Sequence, residues 1–262
     1  MNLPLLMRID PLVICIVLFV LMLFAIGLGN RMRQKFWHAE EGDAKGGVNS
    51  LLGALFGLWA FMLAFTFGQS GSRFENVRGM IVDEGNILRN TIIRADFFPD
   101  SVRAAYRIEL RKYLEERISY YKDDADEIKF KKNREELSKT AAALWARTVE
   151  LSKRPDLSGP ANNMANNLSN LFDIGIKREA LLSAGIPMPI NLMLIGLALT
   201  ISLVGGFTTP TIKRKEWILV FVFALLASTI LYITIDLARP MQGLIKPDAG
   251  QQVIVNLRKL FN

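Results

Sequence analysis

The chain has 262 residues but one cysteine, Cys15, and one histidine, His38. A lone cysteine excludes an intrachain disulfide framework and a cysteine-rich metal site. A lone histidine excludes paired histidine ligands and the zinc-protease motif built on them. The phosphate-cradling G-x-x-x-x-G-K-[ST] and the nucleophile elbow G-x-S-x-G are both missing. No basic patch is interleaved with aromatics in the way nucleic-acid binding requires. These absences predict a protein that is not an enzyme, carries no cofactor and no metal, and has no nucleic-acid partner.

What is present is segregated. The hydrophobic fraction is 51%, and the 32 basic residues outnumber the 25 acidic ones. Residues 70–186 hold 20 of those basic and 18 of those acidic residues, whereas the apolar residues gather in four blocks. The blocks are 11–29, 49–68, 189–207 and 217–235. Each approaches the roughly 20 apolar residues that a helix needs to cross hydrocarbon, where every backbone polar group must be satisfied within the segment. The first block is longer than a signal-peptide core, lacks an A-x-A-like site, and is followed by Arg31, Arg33 and Lys35, as an anchor would be. Trp217 and Tyr232 lie near the ends of the fourth block, where interfacial aromatics belong; Trp59 lies mid-span and does not fit that pattern.

The predicted class is therefore an all-α membrane protein, four transmembrane helices with a helical extramembrane domain between spans two and three. The expected organisation is 11–68 for the first two spans, 69–186 for the domain, 187–237 for the last two spans and 238–262 for a C-terminal tail. The bilayer is the first expected partner, and the basic flanks suit anionic headgroups.

Within 69–186 the periodicity is helical throughout. A first helix over about 72–97 continues span two and stops at Phe98-Pro99, with Asp100 as the N-cap of the next. That next helix, about 101–122, carries Val102, Tyr106, Leu110, Tyr113, Leu114, Arg117 and Tyr121 on one stripe. A third, about 126–153, carries Leu137, Ala141, Leu144, Trp145, Thr148 and Leu151, and Pro155 ends it. Ser158 is a candidate N-cap for a fourth, about 160–184, with Met164, Leu168, Leu171 and Phe172 inward. The acidic run Asp123, Asp124, Asp126, Glu127 fails as an EF-hand, because Ile128 and Arg134 stand where glycine and glutamate are required; it reads as a solvated helix junction.

Span two carries the most specific pattern. Gly53 and Gly57 form G-x-x-x-G, and the same four-residue step continues to Phe61 and Phe65. Two readings are open: a helix lining a pore whose phenyl groups form a dewetting constriction, or ordinary close packing of a small-residue stripe. At the end of span four, Asp236 and Arg239 are either a functional pair at the membrane edge or an interfacial pair closing the helix.

The run from Leu63-Ala64-Phe65 to Ser72-Arg73-Phe74, then Val82-Asp83-Glu84-Gly85-Asn86 with Arg94, forms part of an ordered set of motifs. Arg178, Ile186-Pro187-Met188-Pro189, and Asp236-Leu237-Ala238-Arg239-Pro240 with Gly243 and Leu244 complete it. In order and spacing this set resembles the bacterial bestrophin-like membrane proteins, a four-span family remotely similar to bestrophin anion channels. Gly85 departs from the alanine usual there. The paired prolines of the bestrophin neck are missing from span two, and no Ca²⁺ clasp aligns. The resemblance implies a homo-oligomer of the bacterial inner membrane, a pentamer by analogy, that passes small ions, anions in the bestrophin manner. Phe61 and Phe65 fall where the aromatic neck is expected. The alternative class is a membrane-tethered helical scaffold or sensor whose 69–186 domain binds a partner without transport.

The positive charges of the short loops, including Lys213, Arg214 and Lys215, place 69–186 outside the cell by the positive-inside rule, whereas the resemblance places it in the cytosol. The charge count predicts that Lys132→Cys, in a chain with Cys15 removed, is modified by an impermeant maleimide in intact cells. The resemblance predicts protection until lysis.

Overall fold

The structure, a computed structural model, describes residues 10–36, 43–122, 127–183, 185–209, 216–240 and 243–261. The acidic run at 123–126, His38 and the basic triplet 213–215 lie outside the described residues. The helices are α1 (Pro11–Phe36), α2 (Asp43–Arg94), α3 (Asp100–Lys122), α4 (Glu127–Ser152), α5 (Ser158–Ser183), α6 (Met188–Thr208), α7 (Glu216–Leu237) and α8 (Asp248–Asn256). Short 3-10 turns cover Ala95–Phe97 and Leu257–Phe261. No strand occurs among the described residues. Four helices, α1, α2, α6 and α7, are long and apolar enough to cross a bilayer. The protein is all-α, with four such spans.

Helix α2 runs without interruption for 52 residues, about 78 Å at 1.5 Å per residue, so span two and the predicted helix at 72–97 are one element as far as Arg94, the last three residues forming the 3-10 turn. Gly68, Gly71 and Gly79 do not break it. Both predicted caps are corrected. Asp100 is already the first residue of α3, where its carboxylate accepts from Arg103 at 2.7 Å. Ser158 begins α5 and donates its hydroxyl to the Pro155 carbonyl at 3.2 Å.

The chain divides into two compact units. The first holds Met1–Arg73 and Gly185–Ala238, the second Phe74–Ala184 and Arg239–Asn262. In the first, Leu18, Met22, Trp59, Leu63, Leu194, Ala198, Ile201, Ala224, Ala227, Leu231 and Ile235 form one buried cluster. Lipid tails are as apolar as these side chains, so the helices associate through close packing and polar contacts rather than through exclusion of water. Trp59, the misplaced tryptophan of the sequence pattern, donates its indole N–H to the Leu194 carbonyl at 3.1 Å and is buried. Cys15 Sγ donates to the Ser228 carbonyl at 3.1 Å. At the C-terminal end of α6, Asn30 Nδ2 donates to the Thr209 carbonyl at 2.8 Å and Arg33 to that of Thr208 at 2.6 Å. A cation and an amide thus cap carbonyls left over at that end of the helix.

Helices α1 and α6 bring their backbones into close approach. A Cβ on Gly206 would stand 2.1 Å from the Ile26 carbonyl oxygen, and one on Gly29 2.1 Å from that of Leu203. Gly53 and Gly57, the motif that marked span two for close packing, have nothing within 4 Å of such a Cβ. Within this chain the small-residue crossing is therefore made by Gly29 and Gly206, not by the G-x-x-x-G of span two.

The second unit has a core of Val77, Ile81, Leu88 and Ile92 from α2, Tyr106, Leu110 and Leu114 from α3, Leu144 from α4, Met164, Leu168 and Leu171 from α5, and Ile254 and Leu257 from the C-terminal segment. The expected stripes are inward among the residues whose side chains are described, except that Trp145 is 41% exposed; Tyr121 lies outside them. Residues 238–262, expected as a tail, include α8, seated on α2. A Cβ on Gly85 would meet Val253 Cγ1 at 3.0 Å, and one on Gly250 would meet Ile81 Cγ2 at 3.3 Å.

Because the neighbours of Gly29 and Gly206 are backbone atoms, they cannot turn aside. Gly206→Ala and Gly29→Ala should each lower stability by about 3 kcal/mol or more, the upper range for overpacking. Gly27→Ala, where a Cβ has nothing within 4 Å, should be nearly neutral. Thermal unfolding in detergent compares the three.

Candidate functional site

A helix turns 100° per residue, so residues four apart drift slowly around its surface. On the membrane part of α2, Trp59, Leu63, Thr66 and Ser70 fall on one side and are buried. Thr66 and Ser70 return their hydroxyls to the carbonyls of Met62 and Thr66, at 2.7 and 2.9 Å. Gly53, Gly57, Phe61 and Phe65 fall on the opposite side and are exposed, Phe61 by 68% and Phe65 by 55%. Ala60, Ala64 and Gly68 share that face, with Leu51 and Leu58 at its border. The uncovered faces of α1 and α7 are mostly branched aliphatic with one exposed phenyl ring each, carrying Val13, Ile16, Val17, Val20 and Phe24, and Ile218, Leu219, Phe221, Val222 and Leu226. Small residues stepping into two phenyl rings are thus peculiar to α2. No titratable group lies among Gly53, Gly57, Phe61 and Phe65, so this face can act by shape and wetting but not by acid–base chemistry.

The residues that carried the sequence resemblance separate into two groups. Glu84 and Arg178, 94 positions apart, meet in the second unit. Glu84 accepts from Arg178 with one carboxylate oxygen and from Arg117 with the other. All three side chains are almost fully buried. Tyr120 lies under both guanidiniums, at 5.2 Å and 5.6 Å from ring centre to guanidinium carbon, and its hydroxyl donates to Glu179 at 2.8 Å. Burial alone pushes the Glu84 carboxyl up, but the two guanidiniums outweigh it and hold the carboxyl below its ordinary range. Burial is the largest single effect on Arg117 and lowers it, but the charge and hydrogen bond of Glu84, with Tyr113 and Tyr120, together leave its pKa raised; Arg178 is lowered by burial and by the like charge of Arg117. Burial pushes Tyr113 up to about 12, so it stays neutral beside them.

The remaining residues of the set differ in exposure. Asn86 is exposed, and Arg73 and Arg94 are partly buried. Asp236 is buried near the end of α7, with the Tyr232 hydroxyl 3.5 Å from Oδ1, and Arg239 is partly exposed. Arg117 was legible only as a member of an apolar stripe. An arginine at a core position, beside Tyr113 and Leu114, was the signal that a buried carboxylate had to face it. Among the described residues no cluster of histidine, cysteine and carboxylate ligands is placed to hold a metal.

The bestrophin-like domain model matches residues 13–246, and the chain belongs to this bestrophin-like family. Among solved structures it is similar to a crystal structure of a mutant bacterial bestrophin homolog from Klebsiella pneumoniae. The TM-score is 0.66 at 14% identity, over 94% of this chain and 97% of that one. No curated protein matches it.

Removing one member of a buried ion group leaves the others unpaired, which typically costs about 3–5 kcal/mol. Glu84→Gln should destabilise the protein by that order in thermal or denaturant unfolding at neutral pH. Because the carboxyl's pKa is lowered on folding, its contribution is fully present above the unfolded value of about 4.3 and is lost as pH falls through the lowered value. Acid titration of stability should therefore show a shallower acid limb in Glu84→Gln than in the wild type.

Proposed function

We propose that this chain is the subunit of an oligomeric, channel-like protein of the bacterial inner membrane that passes small anions, with span two lining the path. The observation that supports this most directly is the uncovered face of α2. The single chain packs one side of that helix and leaves Gly53, Gly57, Phe61 and Phe65 outward. Membership of the bestrophin-like family supplies the class. Around a symmetry axis, small residues permit close approach of neighbouring α2 helices at one level. Phe61 and Phe65 from each copy then form a narrow apolar ring at another, which gates by excluding water. Four spans from one chain pack upon one another, so a wet axis requires several copies; five are proposed by analogy with bestrophins. Asp236 and Arg239 are proposed as membrane-edge charges of the same assembly. The buried Glu84 triad is proposed to have a structural role, holding α2, α3 and α5 in register.

Reconstituted liposomes carrying chloride or potassium gradients test this. Wild type should pass chloride, and Phe61→Ala or Phe65→Ala should raise or deregulate the flux several-fold by widening the apolar ring, with little loss of thermal stability. Absence of flux in wild type and in both variants, accompanied by destabilisation of about 3–5 kcal/mol as for buried aromatics, would instead support the scaffold class.

A further inference from the structure

A groove of about 420 Å³ runs along the C-terminal half of α1 against the start of α7. It is lined by the apolar Phe24, Gly27, Leu28 and Trp217 and by the polar Asn30, Arg31 and Gln34. Among the described residues no carboxylate lines it. The two arginines nearby have different surroundings. Arg33 is tied to the carbonyls that end α6. Arg31 is exposed and makes no hydrogen bond or ion pair with any described residue. Asn30 is fixed by Thr209 and in turn accepts from Gln34 at 3.0 Å, so the polar wall is ordered around the open guanidinium.

The depth of the groove identifies the occupant. Arg31 stands two residues past the apolar block 11–29, at headgroup level, and Trp217 opens the fourth apolar block, where an interfacial indole belongs. Phe24 lies seven residues deeper along α1, about 10 Å into the acyl region. A free phosphate would use Arg31 alone. A molecule that fills the whole groove needs a negative head joined to an apolar tail. The geometry points to a bound anionic phospholipid, its phosphate on Arg31 and its first acyl carbons over Gly27 and between Phe24, Leu28 and Trp217. The site does not depend on whether the protein conducts.

Full-length protein in neutral detergent, titrated with phosphatidylglycerol, should show a saturable rise in melting temperature and retained lipid in native mass spectra. Phosphatidylcholine of the same chains, and glycerol phosphate alone, should do neither. Arg31→Gln should weaken phosphatidylglycerol binding about five-fold, the expected effect of one basic residue at an anionic surface. Gly27→Leu keeps the charge but fills open space, and should remove the saturable component. Lys132→Gln, an exposed charge in the other unit, should change nothing. The lipid-free melting temperature reports whether each variant is folded, and either one decides the matter if the other is not. Equal binding of phosphatidylcholine, an equal response to glycerol phosphate, or wild-type affinity in the folded variants would overturn the site.

Discussion

The backbone of Asp43–Arg94 keeps its hydrogen bonds to itself for 52 residues, and both compact units draw on it. Hydrocarbon leaves the apolar stretch no other option, because an unpaired amide there costs several kcal/mol. Beyond residue 68 that compulsion ends, yet the helix persists through Gly68, Gly71 and Gly79, each about 1 kcal/mol worse than alanine in a helix interior. Side-chain packing offsets this: Val77, Ile81, Leu88 and Ile92 from the same helix are in the core of the second unit. One element therefore serves two solvents, held by necessity in one and by burial in the other.

The second unit sets a fully buried carboxylate against two buried guanidiniums. Such a group is expensive to desolvate and contributes little net stability, but it tolerates no missing member. The role proposed for it is specificity of register, since Glu84 on α2 meets Arg117 of α3 with one oxygen and Arg178 of α5 with the other. The surrounding ion pairs are of another kind. Arg258 with Glu115 and Arg154 with Asp156 are about half exposed, and pairs of that sort contribute on the order of 0–1 kcal/mol. The C-terminal segment is held mainly by apolar contact of Ile254 and Leu257 and by the glycines that let α8 approach α2.

Small residues play two opposite parts in the first unit. Gly29 and Gly206 are filled against backbone, and they set the α1–α6 crossing. Gly53 and Gly57 are open, beside the outward Phe61 and Phe65. Both pairs look alike as letters. The proposed channel axis rests on that difference, since a surface left small and uncovered in one chain is one that a second copy can approach closely.

Length and hydropathy alone determined the four spans, because a helix must be about 20 residues long to cross hydrocarbon and a run of that length without charge has few other uses. Period determined the helical stripes of α3, α4 and α5, since one face of a rod must be apolar to be buried. The cap sites at Asp100 and Ser158 were misread because a short polar side chain can cap or bond elsewhere, and only its neighbours decide which. Likewise the tail at 238–262 carried too short an apolar pattern to declare a docked helix before its partner surface on α2 was known. The order of motifs gave Glu84 and Arg178 as residues of interest, but not that they meet. That meeting, the recruitment of Arg117, the choice of Gly29 and Gly206 over Gly53 and Gly57, and the exposure of Phe61 and Phe65 were settled by tertiary structure. Each depends on which residue distant in sequence arrives within a few ångströms, and spacing along one helix carries no information about that.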